Sequence, residues 1–139
     1  MAFAIRRIES GEAALVDRAA ALFDDPPGAD TTARFLASED HHLLLALDND
    51  TPIGFVTGVE IVHPDKAVEM FLYELAVAEE ARGWGLGTAL VRALADLARE
   101  RRCRGMWVLT DEDNVAAVAT YRRAGATVDE RTLLLEWRF

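Results

Sequence analysis

The fold is decided by the stretch Arg82-Gly83-Trp84-Gly85-Leu86-Gly87, which is followed at once by an apolar-periodic run from Thr88 to Leu97. Three alternating glycines let the backbone turn tightly and direct successive N–H groups toward one point. A helix that begins directly after such a turn adds the positive end of its dipole there. The stretch therefore predicts a phosphate-binding loop that opens a helix, although glycines before a helix also mark ordinary tight turns.

Two common phosphate loops do not fit this spacing. A Walker loop needs a Lys and then a Ser or Thr after its last glycine, whereas Gly87 is followed by Thr88 and Ala89. A dinucleotide-binding loop has the spacing G-x-G-x-x-G directly after a first strand. Here the spacing is G-x-G-x-G, and the loop lies past the middle of the chain.

The rest of the chain alternates between strand and helix patterns. A first strand is predicted over 2–8 and a helix over 12–23, followed by a turn-rich acidic loop over 24–30 that we expect to overhang a substrate. Before the glycine loop, the pattern further predicts a short helix capped by Thr31 and ending at Ser38, and strands over 42–47, 53–62 and 69–77. After the loop, it predicts the helix that follows the glycines, a strand over 105–110, a helix over 114–124 ending at Gly125, and closing strands over 127–139. The first strands form an antiparallel meander, and the helix after the loop makes a parallel crossover between the strands over 69–77 and 105–110. The predicted architecture is a mixed α/β sheet flanked by helices, in a single domain over 1–139.

Three sequence blocks occur in an order that resembles one enzyme family. They are the glycine loop, the preceding strand Met70-Phe71-Leu72-Tyr73-Glu74-Leu75-Ala76-Val77, and the block Asp113-Asn114-Val115-Ala116-Ala117-Val118-Ala119-Thr120-Tyr121-Arg122-Arg123-Ala124-Gly125-Ala126. Together they resemble the GCN5-related N-acetyltransferases (GNAT). Within that superfamily, the chain is most similar to the type I aminoglycoside 3-N-acetyltransferases.

The resemblance implies a fold and a cofactor. The implied fold is a mixed, mostly antiparallel sheet with a parallel strand pair splayed at the cofactor site and about four flanking helices. The implied cofactor is acetyl-CoA, with its pyrophosphate on the loop amides and its pantetheine arm paired like an extra strand. The residues that the resemblance assigns to cofactor binding are Leu75, Ala76, Val77, Arg82, Gly83, Trp84, Gly85, Leu86, Gly87, Thr88, Asn114, Ala117 and Tyr121.

Acetyl transfer to an amine needs a group that accepts the ammonium proton and a group that protonates the departing thiolate. Glu74 interrupts an apolar strand and is the candidate for the first role, or for anchoring a cationic substrate. Strand alternation predicts that Glu74 shares a face with Leu72 and Ala76. A structural carboxylate paired with an Arg is the alternative. Tyr121 is the candidate acid, and a core Tyr with a bonded hydroxyl is its alternative.

The acceptor site is predicted from an acidic cluster, Asp111-Glu112-Asp113, directly after a strand end. With Glu74 it would bind a substrate carrying several ammonium groups, whereas solvated charge before a helix N-terminus explains the cluster equally well. Asn114 has the alternative role of a helix cap. The narrower family tends to carry Asp where Glu74 stands and Asp-Pro where Asn114-Val115 stands, so this chain departs from it at positions that concern the substrate and not cofactor binding.

Composition limits the partners. The 139-residue chain has a formal net charge of −9, which argues against nucleic acid and favours a cationic substrate. Apolar runs are too short to span a bilayer, so no membrane partner is expected. A single Cys excludes an internal disulfide and suits a cytoplasmic location, and no His, Cys or acidic spacing predicts a metal site. The apolar segment Leu133-Leu134-Leu135 with Trp137 suggests a homodimer.

The sequence hypothesis is an acetyl-CoA-dependent N-acetyltransferase that acts on a primary amine of a small cationic molecule by direct transfer in a ternary complex. An aminoglycoside acetylated at its 3-amino group is one candidate substrate. Another small amine, a polyamine or a peptide N-terminus is the enzymatic alternative. A non-catalytic module that senses acyl-CoA is the alternative of a different class.

Overall fold

A computed structural model describes residues 2–139, which form a five-stranded sheet with the strand order β1-β2-β3-β4-β5. The strands are β1 (Ala4–Arg7), β2 (His41–Asp48), β3 (Thr51–Ile61), β4 (Glu69–Val77) and β5 (Met106–Trp107), and the helices are α1 (Ala13–Arg18), α2 (Ala29–Ala37), α3 (Leu86–Glu100) and α4 (Val115–Arg123). Strands β1 to β4 run antiparallel, and β5 runs parallel to β4. The predicted mixed sheet with a parallel pair and four helices is confirmed.

Each face of the sheet carries its own core. On one face α3 lies over β3 and β4, and its apolar side chains Leu86, Leu90 and Leu94 are 1% exposed or less. On the other face, α1 and α2 cover a second cluster that includes Phe55. Because α3 is packed along its whole length, its first turn is held rigidly beside the carboxyl end of β4.

A β-bulge interrupts the pairing of β3 with β4. Thr57 pairs with Glu74 but the next residue, Gly58, pairs with Leu72, so Tyr73 is an extra residue in β4. The bulge reverses the alternation, and Leu72 lies in the α3 core whereas Glu74 bonds to Thr57 on the opposite face. The prediction that Glu74 shares a face with Leu72 is therefore wrong, while Ala76 does pack against the α1 and α2 side.

Several element boundaries differ from the sequence predictions. The first helix ends at Arg18 and continues only as a short 3₁₀ turn, Ala20–Leu22. Helix α2 starts at Ala29 and is preceded by Gly28, so Thr31 lies inside the helix and is not its cap. Strand β5 has two residues, where six were expected. Residues 127–139 form no strand, so the prediction of closing strands is wrong for the described chain. No helix within residues 2–139 is long and apolar enough to cross a membrane.

A buried polar network lies at the opposite end of α3 from the glycine loop. His42 is fully buried, its Nδ1 accepts a hydrogen bond from Nε of Arg7 at 2.9 Å, and its Nε2 lies 2.6 Å from Oε2 of Glu60. Arg101, just after α3, also donates to Glu60. Since Nδ1 accepts from Arg7, the ring proton is on Nε2 and His42 is neutral in this network.

This network predicts a loss of stability in mild acid. Burial lowers the pKa of His42 below its usual 6.5, despite the opposing effect of Glu60. The unfolded chain therefore binds more protons than the folded chain as the pH falls below 6.5, and stability falls with it. We expect urea denaturation to show a larger loss of unfolding free energy between pH 7.5 and pH 5.5 for the wild type than for His42→Gln. His41→Gln, at an exposed neighbouring position, serves as control and should retain the wild-type difference.

Candidate active site

The glycine loop adopts the left-handed backbone that its sequence requires. Gly83 has φ +83° and Gly85 has φ +75°, a region that side chains with a Cβ rarely enter. Gly85 is the N-cap of α3, and no side chain caps the helix there. The loop thus begins α3 with exposed main chain, as the sequence predicts.

The amides of the loop are available for a ligand. Ala89 is the first residue after the loop whose N–H donates to a backbone carbonyl, that of Gly85, at 3.0 Å. Within residues 2–139, no backbone carbonyl accepts from the N–H groups of residues 83–88. Helix N-termini leave such donors free, and the α3 dipole adds positive potential beside them. Six successive main-chain donors therefore remain for an anion.

A gap opens beside this loop, between β4 and β5. Strand β5 pairs with β4 only at Met70 and Phe71, so within residues 2–139 the following β4 residues have no strand partner on that side. On the other side, Leu75, Ala76 and Val77 pair with β3. An extended ligand can pair with the open main chain of these three residues as a short additional strand.

Helix α4 lies close to the other side of the loop. A Cβ built on Gly87 would lie 3.3 Å from Cγ2 of Thr120 and 3.8 Å from Cγ2 of Val77. The backbone at Gly87 therefore passes closely between β4 and α4, and a side chain there would crowd Thr120. Thr120 is followed by Tyr121, which is half-buried against the α3 core.

Tyr121 has the chemistry of a proton donor. Burial raises the pKa of its hydroxyl, so the hydroxyl is protonated at neutral pH. Asn114 directly precedes the same helix and caps it. Its Oδ1 accepts a hydrogen bond from the N–H of Ala117 at 3.2 Å. The structure thus gives Asn114 the capping role, which its Oδ1 alone fulfils.

Glu74 is held by a side chain of the neighbouring strand. Its Oε1 accepts a hydrogen bond from the Thr57 hydroxyl at 3.1 Å. Burial raises the pKa of the Glu74 carboxyl, the Thr57 bond opposes that rise, and the charge of Asp24 adds to it. The alternative of an Arg-paired structural carboxylate is not what the described residues show, because none of their ion pairs involves Glu74.

Asp24 is the neighbour of Glu74 that sequence reasoning missed as an individual residue. The preceding residue, Phe23, stacks on Phe55 with ring centroids 4.3 Å apart. Phe55 and Thr57 lie on the same face of β3, so this stacking brings the acidic loop over the face that carries Glu74. The available signal was the loop composition, Asp24-Asp25-Pro26-Pro27-Gly28, together with the apolar residue before it.

Comparison with known proteins agrees with this arrangement. The sequence profile of the acetyltransferase (GNAT) family matches residues 9–126. The chain belongs to this family. GNAT acetyltransferases use acetyl-CoA.

Individual relatives of this GNAT chain include N-alpha-acetyltransferase 30 of Schizosaccharomyces pombe, which is 36% identical over 81 residues. The match covers 58% of the chain and 54% of that protein, so the chain spans about half the length of this curated relative. Two aminoglycoside acetyltransferases from uncultured soil metagenomic samples have the same fold. The first, solved with trehalose, has a TM-score of 0.90 at 18% identity, and the match covers 99% of this chain and 96% of that chain. The second has a TM-score of 0.85 at 25% identity, and the match covers 100% of this chain and 99% of that chain.

The acidic cluster of this GNAT chain is exposed and lies in the turn before α4. The backbone carbonyls of Asp111 and Asp113 accept hydrogen bonds from Asn114 and Val115, which builds the turn. The neighbouring charge that affects the pKa of Glu74 is Asp24, and not a member of the cluster. The described structure therefore brings Glu74 together with Asp24, whereas Asp111, Glu112 and Asp113 remain solvent-facing.

Proposed function

We propose that the chain is an acetyl-CoA-dependent N-acetyltransferase that acts on a primary amine of a small cationic substrate. The observation that carries the proposal is the row of free amides over residues 83–88 at the start of α3, beside an unpaired strand edge. Bound acetyl-CoA supplies an activated acetyl thioester. The residues of this chain bind it, orient the amine and move protons.

The binding roles follow from the chemistry of each part of the cofactor. The loop amides and the α3 dipole stabilise the pyrophosphate, and exposed Arg82 adds a charge-assisted contact. The main chain of Leu75, Ala76 and Val77 holds the pantetheine arm along the gap. A backbone N–H near Leu75 or Ala76 holds the thioester carbonyl. Asn114 and Ala117 contact the arm from α4.

Glu74 is assigned the task of accepting the ammonium proton or anchoring the amine. An amine attacks only in its uncharged form, so its ammonium group must first lose a proton. A nearby carboxylate with a raised pKa accepts that proton more readily, because its pKa lies closer to that of the ammonium group. Thr57 donates to one oxygen of Glu74 and leaves the other oxygen for the substrate. The orientation of the base is thus set by a cross-strand contact at the bulge.

Tyr121 is assigned protonation of the departing thiolate, and this assignment predicts the phenotype of Tyr121→Phe. We expect turnover to fall about tenfold to 100-fold, at the low end for acid catalysis because a thiolate is already a good leaving group. Affinity for acetyl-CoA should change little, since the ring is retained. Single-turnover kinetics with calorimetric titration of CoA measures both quantities. Full turnover with chemistry rate-limiting would remove the acid role.

The substrate class follows from charge. Glu74 and Asp24 are two carboxylates close enough for the Asp24 charge to affect the pKa of Glu74, and the chain carries −9 overall. A molecule with several ammonium groups gains from both, through steering and through contacts. An aminoglycoside is our first candidate, supported by the fold shared with two aminoglycoside acetyltransferases; acetylation at the 3-amino group is the finer proposal. Asp111, Glu112 and Asp113 are proposed to contact the far end of such a substrate.

A peptide N-terminus is the second candidate acceptor, favoured by the 36% identity to an N-alpha-acetyltransferase. The decisive experiment is a thiol-release assay with acetyl-CoA and three acceptors: an aminoglycoside, a polyamine and a short peptide with a free N-terminus. Turnover on the aminoglycoside that falls in Asp24→Asn supports the first candidate, and turnover on the peptide alone supports the second. CoA binding without turnover on any amine would instead indicate an acyl-CoA sensor, and no CoA binding at all would refute the proposal.

A further inference from the structure

Three aromatic side chains of β4 and β5 form a connected, exposed surface. Phe71 stacks on Trp107 with ring centroids 4.4 Å apart, and Tyr73 meets Phe71 edge to face with centroids 5.7 Å apart. Tyr73 is 69% exposed and Trp107 is 40% exposed. The rings are therefore ordered by one another while their outer sides face water. We call Phe71, Tyr73 and Trp107 the aromatic platform.

The register between β3 and β4 places the aromatic platform on the face of the sheet that carries Glu74. Phe71 pairs with Val59, which lies two residues after Thr57 and so shares its face. Thr57 donates a hydrogen bond to Glu74. In a regular strand, Tyr73 and Glu74 would point to opposite faces. Because Tyr73 is the extra residue of the bulge and contacts Phe71, an aromatic ring and a carboxylate stand side by side on one face.

We propose that the aromatic platform binds the acceptor by stacking, so that the substrate carries its amine on a saturated ring, as an amino sugar does, and not on a flexible chain. The inference rests on the proposed function, because it takes Glu74 as the group that meets the acceptor amine. The apolar face of the ring lies on Tyr73 and Trp107, and an ammonium group on the ring reaches Glu74.

The charges around the platform complement such a ring. The faces of aromatic rings carry negative potential, which attracts ammonium groups and the C–H groups beside them. Glu74 follows Tyr73 in the chain, and Asp24 is close enough for its charge to affect the pKa of Glu74. A linear polyamine satisfies these carboxylates equally well but offers no ring face. The platform therefore discriminates between cyclic and linear amines of equal charge.

Two probes with the same number of amines test this discrimination without requiring turnover. Kanamycin carries its amines on rings, and spermine carries them on a chain. Calorimetric titration of the full chain, with and without CoA, gives the ratio of the two affinities, and the wild type should prefer kanamycin. Tyr73→Ala should lower this preference about tenfold, the size of a stacking and cation–π contribution. Equal affinities in the wild type, or an unchanged ratio in Tyr73→Ala, would overturn the proposal.

Conservative and matched variants separate stacking from a general disturbance of the sheet. Tyr73→Phe keeps the ring and should restore the wild-type preference for kanamycin. Val62→Ala removes apolar surface at another exposed position, 63% exposed and directly after β3, and should leave the preference unchanged. Since Tyr73 is largely exposed, all three variants should keep the wild-type melting temperature. Loss of preference in Tyr73→Phe as well would assign the effect to the hydroxyl and refute stacking.

Trp107 provides a signal that a structural role of the platform would not produce. A ring that lies on the platform should change the fluorescence emission of Trp107 on titration with kanamycin. Trp107→Phe should lose this change and retain most of the affinity, because a phenyl ring replaces the indole. An emission that does not respond at saturating kanamycin, or a response that persists in Trp107→Phe, would place the ligand elsewhere and overturn the proposal.

This inference and the proposed function fail in different ways. If kanamycin binds with an affinity that depends on Tyr73 but no amine is acetylated, the proposed function fails and the platform stands as a binding site for cyclic amines. If amines are acetylated and Tyr73→Ala keeps the wild-type preference, the platform fails and the proposed function stands. A wild type that binds a short peptide with a free N-terminus more tightly than kanamycin would also overturn the platform's assignment to a ring amine.

Discussion

Gly85→Val is expected to abolish detectable binding of CoA, with a loss of affinity of at least about 100-fold. A β-branched residue in the left-handed region costs about 1–2 kcal/mol, and the loop relieves this strain by rotating its amides away from the anion. The valine side chain also occupies the space above the first turn of α3, where nothing lies within 4 Å of a Cβ in the free protein. Isothermal titration with CoA measures the effect directly.

A matched control separates this local effect from general strain. Gly11, in the turn before α1, has φ +91° and likewise has nothing within 4 Å of a built Cβ. Gly11→Val therefore carries a comparable backbone cost far from the loop. Retained CoA binding in Gly11→Val, with a similar drop in melting temperature, isolates the role of the loop amides. Tight CoA binding by Gly85→Val would contradict the proposed site.

The elements that position the site were predictable because their signals are local. The bounds of β4, Glu69–Val77, match the sequence prediction, since an apolar run there is limited by a turn on one side and the glycine loop on the other. Helix α3 follows from an apolar stripe with period 3.6. Positive φ at Gly85 and Gly125 follows from the freedom of glycine at helix ends.

The geometry around Glu74 was not predictable, because it depends on pairing between strands. In a regular strand, Leu72, Glu74 and Ala76 would lie on one face, and nothing in the sequence of β4 marks Tyr73 as an extra residue. Only the register with β3 places the bulge, which turns Glu74 toward Thr57. The approach of Asp24 likewise depends on a ring contact between Phe23 and Phe55, which are 32 positions apart in the sequence.

The prediction of C-terminal strands failed for a different physical reason. Apolar alternation over residues 133–139 indicates a strand, but a strand forms only when another strand supplies its hydrogen bonds. Pairing of β5 with β4 ends at Trp107, and among the described residues no strand pairs with the outer side of β5. The short pairing of β5 with β4 also leaves the main chain of Leu75, Ala76 and Val77 open on that side within residues 2–139.

Glu74→Gln is the second large effect we expect. Removing a general base lowers the rate about 10²- to 10⁴-fold, while the amide still accepts the Thr57 hydrogen bond and preserves the strand pairing. The kcat for amine acetylation should fall, and calorimetric affinity for CoA should stay within about twofold, a change below 1 kcal/mol. A drop in amine affinity with unchanged kcat would assign Glu74 to anchoring the substrate and not to accepting its proton.

The pH profile tests the same residue, because the neighbours of Glu74 fix the direction in which each variant should shift its pKa. Glu74 accepts a proton only when ionised, so kcat/KM should fall as the pH falls through its raised pKa. Thr57→Val removes the bond that lowers this pKa and should move the acid limb to higher pH. Asp24→Asn removes a neighbouring negative charge and should move the limb to lower pH. If Glu74 is the base, the two variants must shift the acid limb in opposite directions, because one loses a hydrogen-bond donor and the other loses a like charge. Shifts in the same direction, or an unchanged acid limb in Glu74→Gln, would assign that limb to the amine substrate.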